Sequence, residues 1–249
     1  YTDVGGWIRI CSYREALQQI AFAAGARVSC SRSGVIKIYK DTLASDLTSY
    51  DFAITKAEKA MKQSLKLRTL ITGVEITYKH YLVNDTDSEI FNAPLGVGDH
   101  LIIFDNAVKG TPSISGGTIT SSGANYANVN VTSAGVVTLT GYEFNYINKV
   151  KSIYNGSISS SVKKNIVRIS DAWLVTYFNI DEIAQRVYDY YQQRYLQSTK
   201  LFAPTAAVGD SVLIDTLYNQ QIGGVIEKMI LDLTGGFTAQ TEITGVVVE

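Results

Sequence analysis

Residues 11–40 constrain the fold most, because they contain the start and stop of one helix followed by two alternating segments. Ser12 followed by Glu15 has the spacing of a capping box, and Gly25 stands where a left-handed helix terminator is needed. Apolar and polar residues then alternate on both sides of the turn sequence SRSG, which is typical of a β-hairpin. The sequence therefore predicts a helix that ends at Gly25 and lies on a small sheet.

A second capping pattern, Asn179 followed by Glu182, predicts another helix that runs to about Gln197. Its apolar residues form one broad stripe, which indicates a face buried in the core. On another face, at spacings of four, stand two arginines that could lie against a tyrosine ring: Arg186, Tyr190 and Arg194. From residue 200 onwards alternating segments separated by turns predict an antiparallel β meander.

The middle of the chain divides by composition. The pattern is weaker at residues 42–68, where KAEKAMKQSLK (residues 56–66) has helical composition but a thin apolar stripe and predicts a short helix. Residues 70–83 alternate as a strand does. Residues 84–161 are rich in Gly, Ser, Thr and Asn, with short strand candidates between turn signals, and therefore predict an all-β module. The sequence VGD occurs at residues 97–99 and 208–210, each time before an apolar strand, which indicates a shared strand-initiating turn.

These elements predict an α+β fold that is mostly β, with small helix-on-sheet units at both ends and a central all-β module. We expect three segments: residues 1–66, a helix plus hairpin unit; residues 67–161, the Gly/Ser/Thr-rich β module; and residues 162–249, a helix followed by the meander. The first ten residues have the pattern of the end of a strand, so we expect the chain to be a piece of a longer protein.

Charge and composition exclude several classes of protein. Lys and Arg total 22 and Asp and Glu total 23, so the net charge of -1 provides no field for nucleic acid or an anionic membrane. No apolar run approaches the roughly 20 residues of a membrane span, so we expect a soluble chain without membrane insertion. Cys11 and Cys30 are expected to be reduced and buried as small apolar side chains, although a disulfide between them is an alternative.

The sequence contains no recognisable catalytic or metal-binding motif. His80 and His100 are isolated, without HxxxH, HExxH or CxxC spacing, and we predict neither a metal nor a cofactor. Asp85, Asp87 and Glu89 alternate and could offer oxygen ligands to calcium, but they lack the glycine and distal glutamate of an EF-hand, so a solvated acidic turn is favoured. The sequence therefore predicts a protein that is not an enzyme.

Two stretches resemble one protein family. The helix and hairpin sequence SYREALQQIAFAAGARVSCSRSGVIKIY is similar to a unit of bacteriophage tail and baseplate hub proteins, which often carry a REAL-QIA helix followed by a strand with R-G-I-I. The closing part also resembles these proteins: AQRVYDYYQQRY, then VGDSVLIDT, then GGVIEKMILDLTGGFTAQTEITG. The resemblance covers about half of the chain, mainly its two ends, and the long Gly/Ser/Thr/Asn module departs from it.

The resemblance implies a structural subunit of a phage or prophage tail, a baseplate hub that joins the tail tube to a spike or fibre. Its implied partners are further copies of itself, as a homotrimeric ring in the intact protein, and other tail proteins. Its implied location is the virion tail, after synthesis and assembly in the bacterial cytoplasm. No catalytic or ligand-binding residue carries over, because the family pattern has none here.

Two alternatives to a hub role remain open at this point. The central module could bind host glycan or a fibre through exposed aromatic side chains, and the candidates are Tyr126, Tyr142 and Tyr146, although packing in the core also explains them. Tyr190 is a further candidate interface aromatic. A cell-wall hydrolase would use carboxylates such as Asp99 or Asp210, but a role in strand-initiating turns is favoured for both.

Overall fold

The computed structural model describes residues 4–31, 33–159, 161–202, 205–234 and 237–248, with the backbone alone at residues 60–62. The predicted α+β class, mostly β, is confirmed: one helix lies near each end of the chain and strands make up most of the rest. No helix in this described part has the length and apolar content that crossing a bilayer would require.

Within the described ranges, the structure has two α-helices and seventeen β-strands. The helices are α1 (Tyr13–Ala24) and α2 (Ile180–Gln192). The first seven strands are β1 (Ala26–Cys30), β2 (Ile36–Lys40), β3 (Phe52–Ile54), β4 (Lys59–Leu67), β5 (Gly73–Val83), β6 (Ser88–Leu95) and β7 (Gly98–Ile103). The later strands are β8 (Ser113–Ser115), β9 (Thr118–Gly123), β10 (Tyr126–Val131), β11 (Gly135–Gly141), β12 (Phe144–Tyr154), β13 (Ile166–Ile169), β14 (Tyr195–Phe202), β15 (Ser211–Asp215), β16 (Gln221–Asp232) and β17 (Thr238–Val248).

The described residues form two compact units, each built from separated stretches of the chain. The first unit contains Tyr1–Ala24, Ile76–Lys151 and Ile169–Asp181, of which residues 4–24 are described at its start. The second unit contains Gly25–Glu75, Ser152–Arg168 and Glu182–Glu249. A further three-stranded sheet has the strand order β12-β5-β13.

Two three-stranded sheets enclose the core of the first unit, with strand orders β7-β10-β9 and β6-β11-β8. In β10 the residues Ala127, Val129 and Val131 are buried and alternate with less buried neighbours, as expected for a strand with one face in a core. Val137 and Leu139 of β11 join the same buried cluster. This part of the predicted all-β region is therefore a pair of sheets that share one apolar core.

A six-stranded sheet forms most of the second unit, in the order β3-β15-β16-β17-β14-β4. The predicted meander is confirmed in its last three strands, because β15 pairs antiparallel with β16 and β16 pairs antiparallel with β17. Two further pairings come from outside the meander: β14 adds to β17 and β3 pairs parallel with β15. Isoleucines of four of these strands form the centre of the core: Ile54, Ile214, Ile222, Ile226 and Ile243.

The start and stop of α1 are as predicted. The Ser12 hydroxyl oxygen accepts a hydrogen bond from the Glu15 backbone N–H at 3.2 Å, and Gly25 has a φ of 68° directly after the last helical residue. The second half of the predicted capping box is replaced, because the Glu15 carboxylate contacts Arg9 at 3.4 Å. The hairpin β1–β2 is also present, in the register that pairs Val28 with Ile38.

Three predictions about local structure are wrong. Where a short helix is predicted at residues 56–66, a capping box at Thr55 and Glu58 leads only into a single 3-10 turn, and the chain continues as β4, which pairs with β14. The second helix ends at Gln192 instead of about Gln197, because residues from Tyr195 onwards pair with β17. In both places long-range pairing outweighs local helical propensity. The third is the N-terminal strand, since described residues 4–10 belong to no strand.

The two VGD sequences share a glycine with positive φ but do not form the same turn, because Gly98 already belongs to β7 whereas residues 208–210 precede β15. Gly98 and Gly209 both have positive φ, 130° and 98°, which favours glycine at each position. The carboxylate of Asp210 accepts a hydrogen bond from the Ala207 backbone N–H at 2.7 Å, as a turn-stabilising residue does. Asp99 departs from this role, because its carboxylate accepts instead from the Asn130 side chain at 2.7 Å.

Candidate functional site

Four aromatic rings from distant parts of the chain pack together in the first unit, and we call them the aromatic cluster: Trp7, Tyr81, Tyr146 and Trp173. The ring centroids of Trp7 and Trp173 are 5.1 Å apart, and Tyr146 meets Trp173 edge to face at 5.6 Å. Tyr81 completes the cluster at 6.0 Å from Tyr146 and 6.5 Å from Trp7. These separations and tilted planes are the favourable geometry for aromatic pairs.

Lys79 on β5 places its ammonium inside this cluster. Its Nζ lies 3.7 Å from the ring centroid of Tyr146 and 3.9 Å from that of Trp173, and the residue is only 7% exposed. Burial lowers the pKa of the Lys79 ammonium, the charge of Asp171 acts in the opposite direction, and the charge of Arg9 lowers the pKa further. The side-chain oxygen of Asn148 is 3.5 Å from Nζ.

Hydrogen bonds fix the position of Trp173. Its indole N–H donates to the Asp171 carboxylate at 2.9 Å, and its backbone N–H donates to the Gln19 side-chain oxygen at 3.0 Å. Gln19 lies on α1, and its amide also donates to the Asp171 backbone carbonyl at 2.7 Å. On the other side, the Tyr81 hydroxyl donates to the Trp173 carbonyl at 2.8 Å. Burial raises the pKa of the Tyr81 phenol, so this hydroxyl keeps its proton.

A cavity of about 400 Å³ opens beside the cluster, and we call it the Trp7 pocket. Its wall consists mainly of aromatic rings and small residues, among them Gly5, Trp7, Tyr81, Phe144, Tyr177 and Phe178. Two of these rings stand at the surface, with Tyr177 58% exposed and Phe178 76% exposed, and their centroids are 4.5 Å apart. The volume is within the range of about 300–1,000 Å³ that is usual for ligand pockets.

The structure places the predicted aromatic residues in different environments. Tyr146 belongs to the aromatic cluster, whereas Tyr142 is 45% exposed between β11 and β12. Tyr126 is half-buried on β10, with its ring so close to Gly123 that an added Cβ there would lie 2.4 Å from it. The structure therefore does not collect the three tyrosines of the central module around one another.

Tyr190 belongs to a charged network in the second unit. The guanidinium carbons of Arg68 and Arg27 lie 5.3 Å and 5.6 Å from its ring centroid. Both arginines also pair with Glu227, at 2.7 Å and 3.8 Å, and Arg27 pairs with Asp41 at 2.5 Å. Burial, and next the charge of Glu227, raise the pKa of the Tyr190 phenol. The arginines that the structure places against this ring, Arg27 of β1 and Arg68 just after β4, are different residues from the predicted Arg186 and Arg194.

Of the histidines and acidic residues that the sequence analysis singled out, His80 alone is among the described residues that line the Trp7 pocket. His80 lines the Trp7 pocket and meets the Tyr177 ring edge to face at 5.9 Å. His100 contacts the Gly96 carbonyl at 2.8 Å. Asp85 and Asp87 are exposed in the turn between β5 and β6, as a solvated acidic turn would be. Across the residues that the structure describes, no group of three or more His, Cys, Asp or Glu side chains could hold a metal ion.

The cysteines are free, as predicted, but their predicted burial is wrong. Cys30 is exposed at the end of β1 and Cys11 is of intermediate exposure before α1. Cys30 pairs with Ile36 at one end of the sheet β1–β2. This sheet has only two strands, so no third strand covers the residue.

Sequence reasoning did not identify Trp7, Lys79, Tyr81 or Trp173 as site residues. The chain has only two tryptophans, and both belong to the aromatic cluster, so these two residues were the sequence feature that could have indicated the site. The positions of these residues are separated by long stretches of chain, so no local motif could connect them.

No protein-family model matches this sequence, and no curated protein matches it. Among solved structures, the chain is similar to part of the virion of a native gene transfer agent particle, with a TM-score of 0.46 and 10% identity over 95% of this chain. It is also similar to the tail protein from Neisseria meningitidis MC58, with a TM-score of 0.42 and 8% identity over 92% of this chain. The chain spans 39% of the first of these chains and 54% of the second.

Proposed function

We propose that this chain is a structural subunit of a phage or prophage tail, and within it a baseplate hub that joins the tail tube to a spike or fibre. The observation that carries the proposal is the order of elements at the two ends of the chain. The part that resembles hub proteins near the start folds as α1, a glycine stop and the hairpin β1–β2. The closing part folds as α2, β14, a VGD turn and the strands β15 to β17.

Exposed apolar side chains on sheet surfaces support a role in assembly. Leu101 and Ile103 lie on the same side of β7 and are 62% and 55% exposed. Ile36 and Ile38 on β2 are 59% and 58% exposed. Apolar patches of this kind mark surfaces that become buried in protein interfaces. In a tail, neighbouring subunits and other tail proteins would cover them.

The tail assignment is tested on particles from a strain that produces them. Antibodies against this chain, followed by gold labelling and electron microscopy, should mark the end of the tail distant from the capsid. Deletion of the coding region should abolish complete tails, and re-expression of the intact protein should restore them. Label on the capsid, or intact tails in the deletion strain, would refute the proposed role.

The proposed homotrimeric ring is a separate question, because closed rings depend on a heterologous interface that repeats around an axis. Light scattering of the intact purified protein should give three times the mass of one chain, and negative-stain images should show three-fold rings. Replacing Leu101 by Asp and, separately, Ile36 by Asp then identifies which exposed apolar surface forms the contact. A monomer at high concentration would exclude the ring.

A second candidate function is a module that binds host glycan or a fibre. It is favoured by β10, on which Tyr126, Asn128 and Asn130 alternate with the buried residues and so share the other face of the strand. The Asn128 amide donates to the Ser121 hydroxyl at 2.9 Å, which orders this face. Binding on a glycan array that falls at least tenfold in Tyr142→Ala or Tyr126→Ala would support this function. We propose residues 67–161 as the segment to test, and residues 1–66 and 162–249 as the flanking assembly segments.

A further inference from the structure

The wall of the Trp7 pocket is mostly apolar, although the polar side chains of Lys79, His80 and Tyr177 also line it. The ammonium of Lys79 is directed at the rings of Tyr146 and Trp173, neither of which lines the pocket. The hydroxyl oxygen of Thr176 and the indole nitrogen of Trp7 are both buried, and neither has a hydrogen-bond partner among the described residues. A saccharide needs several accessible hydrogen-bonding side chains, and a mostly apolar wall is a poor match for that need.

The same wall is suited to a flat apolar group. Rings of Trp7, Tyr81 and Phe144 line the cavity, and the exposed pair Tyr177 and Phe178 also lines it. An uncharged aromatic ring in this space would have aromatic neighbours at edge and face, which is the arrangement that aromatic rings prefer. It would also remove from water the apolar surface of Tyr177 and Phe178.

We propose that the Trp7 pocket is a binding site for a single uncharged aromatic ring. The site lies within the first unit, and the proposal does not depend on the assignment to a phage tail. The ring is either that of a free aromatic compound or that of a side chain in a polypeptide, since the chemistry of the pocket wall is the same for both.

The position of both tryptophans makes binding directly measurable. The chain has two tryptophans, so its indole fluorescence comes from Trp7, which lines the pocket, and Trp173, whose ring centroid is 5.1 Å from that of Trp7. Bromobenzene is a suitable probe because bromine quenches indole emission at contact range. We expect saturable quenching with a stoichiometry of one, and relief of that quenching by toluene, which lacks the bromine atom.

A pair of glycine substitutions provides the matched test. Gly5 lines the pocket, and a Cβ added to it would meet no atom within 4 Å, so Gly5→Leu should add apolar bulk at the pocket wall without a clash at Cβ. Gly96 has the same freedom and does not line the pocket, so Gly96→Leu is the control. Bromobenzene binding should weaken about tenfold or more in Gly5→Leu, which corresponds to about 1.4 kcal/mol, and stay unchanged in Gly96→Leu.

A second variant covers the case in which Gly5→Leu fails to fold, as judged by circular dichroism. Phe178→Ser changes a ring that is 76% exposed and should weaken the probe several-fold without unfolding the chain. Quenching that is linear in bromobenzene, or equal in Gly96→Leu and in both pocket variants, would overturn the proposal.

The source of the ring is distinguished by comparing toluene with short extended peptides as competitors of bromobenzene. A peptide with one central phenylalanine that competes at least tenfold more strongly than toluene, while its alanine counterpart does not compete, assigns the site to a polypeptide side chain. Equal competition by toluene and the phenylalanine peptide assigns it to a free aromatic compound. Failure of both competitors would contradict the proposal.

Discussion

The ammonium nitrogen of Lys79 lies 3.9 Å from the ring centroid of Trp173, inside a cluster of aromatic rings and with almost no exposure to solvent. A cation–π contact with a desolvated lysine contributes about 2 kcal/mol, whereas removing an ammonium from water costs several kcal/mol. The lowered pKa of Lys79 is consistent with a net cost of its charge in the folded state. The buried charge of Lys79 therefore lowers the free energy of unfolding, although the side chain is held in one position by the rings.

Replacing Lys79 by methionine should raise the free energy of unfolding by about 1 kcal/mol, because the apolar side chain keeps the packing and removes the buried charge. Urea unfolding followed by tryptophan fluorescence measures this change in the first unit. The control is Lys149→Met, at an exposed position on β12, which should change stability by less than about 0.5 kcal/mol. A loss of stability in Lys79→Met would show that the contacts with the rings outweigh the cost of burial.

The same substitution should alter the dependence of stability on pH. The folded pKa of Lys79 is below its unfolded value of about 10.4, so the folded state releases this proton first. The contribution of Lys79 to stability is fully present above a pH of about 10.4 and is lost as the pH falls through the folded pKa. The difference in unfolding free energy between the wild type and Lys79→Met should therefore shift in favour of the wild type as pH rises towards about 10.4. A difference independent of pH up to that value would contradict the burial of the charged form.

Tyr81→Phe removes the hydroxyl that donates to the Trp173 carbonyl at 2.8 Å. Because this carbonyl loses a partner in a partly buried position, the substitution should lower the free energy of unfolding by about 1–2 kcal/mol. Tyr142→Phe is the matched control at a residue that is 45% exposed, and its effect should stay below about 0.5 kcal/mol. Equal effects of the two substitutions would remove the argument that Tyr81 fixes Trp173.

Thr176→Val tests the unpartnered hydroxyl beside the Trp7 pocket. Since a buried hydroxyl without a hydrogen bond costs about 1–3 kcal/mol, the apolar replacement of similar shape should increase stability by about 1 kcal/mol. Thr72→Val is the opposite case, because the Thr72 hydroxyl accepts from the Asn165 backbone N–H at 2.8 Å and lies 3.1 Å from the Asn165 carbonyl. Thr72→Val should lower the free energy of unfolding by about 1–2 kcal/mol, as measured by thermal or urea unfolding. The same sign for both variants would contradict the assignment of hydrogen bonds.

Glu227→Gln tests the charged network of the second unit, in which one carboxylate serves two arginines. The substitution leaves Arg27 and Arg68 without this shared anion in a partly buried site. We therefore expect the free energy of unfolding to fall by about 1–3 kcal/mol. Glu242→Gln is the control, since its pair with Lys228 is 3.5 Å long and more exposed, and it should cost less than about 1 kcal/mol. Unfolding measured by circular dichroism reports on both. A cost for Glu227→Gln no larger than that of its control would mean that the network is not coupled.

The sequence by itself determined those parts of the fold that depend on neighbouring residues. A cap at Ser12, a stop at Gly25 and the alternation of β1 and β2 act over a few positions, and each is present as predicted. The alternating strands β15 to β17 and the mostly β class follow from the same period of two. Local free energies decide such features, so a pattern of a few residues is sufficient.

Only the tertiary structure decided the identity of β4 and the end of α2, because in both places a strand partner distant in sequence outweighed helical composition. It also decided the candidate site. Trp7, Lys79, Tyr146 and Trp173 meet because stretches from three parts of the chain form the first unit together. Contacts of this kind are stabilised by burial of apolar surface, which has no direction and leaves no spacing in the sequence.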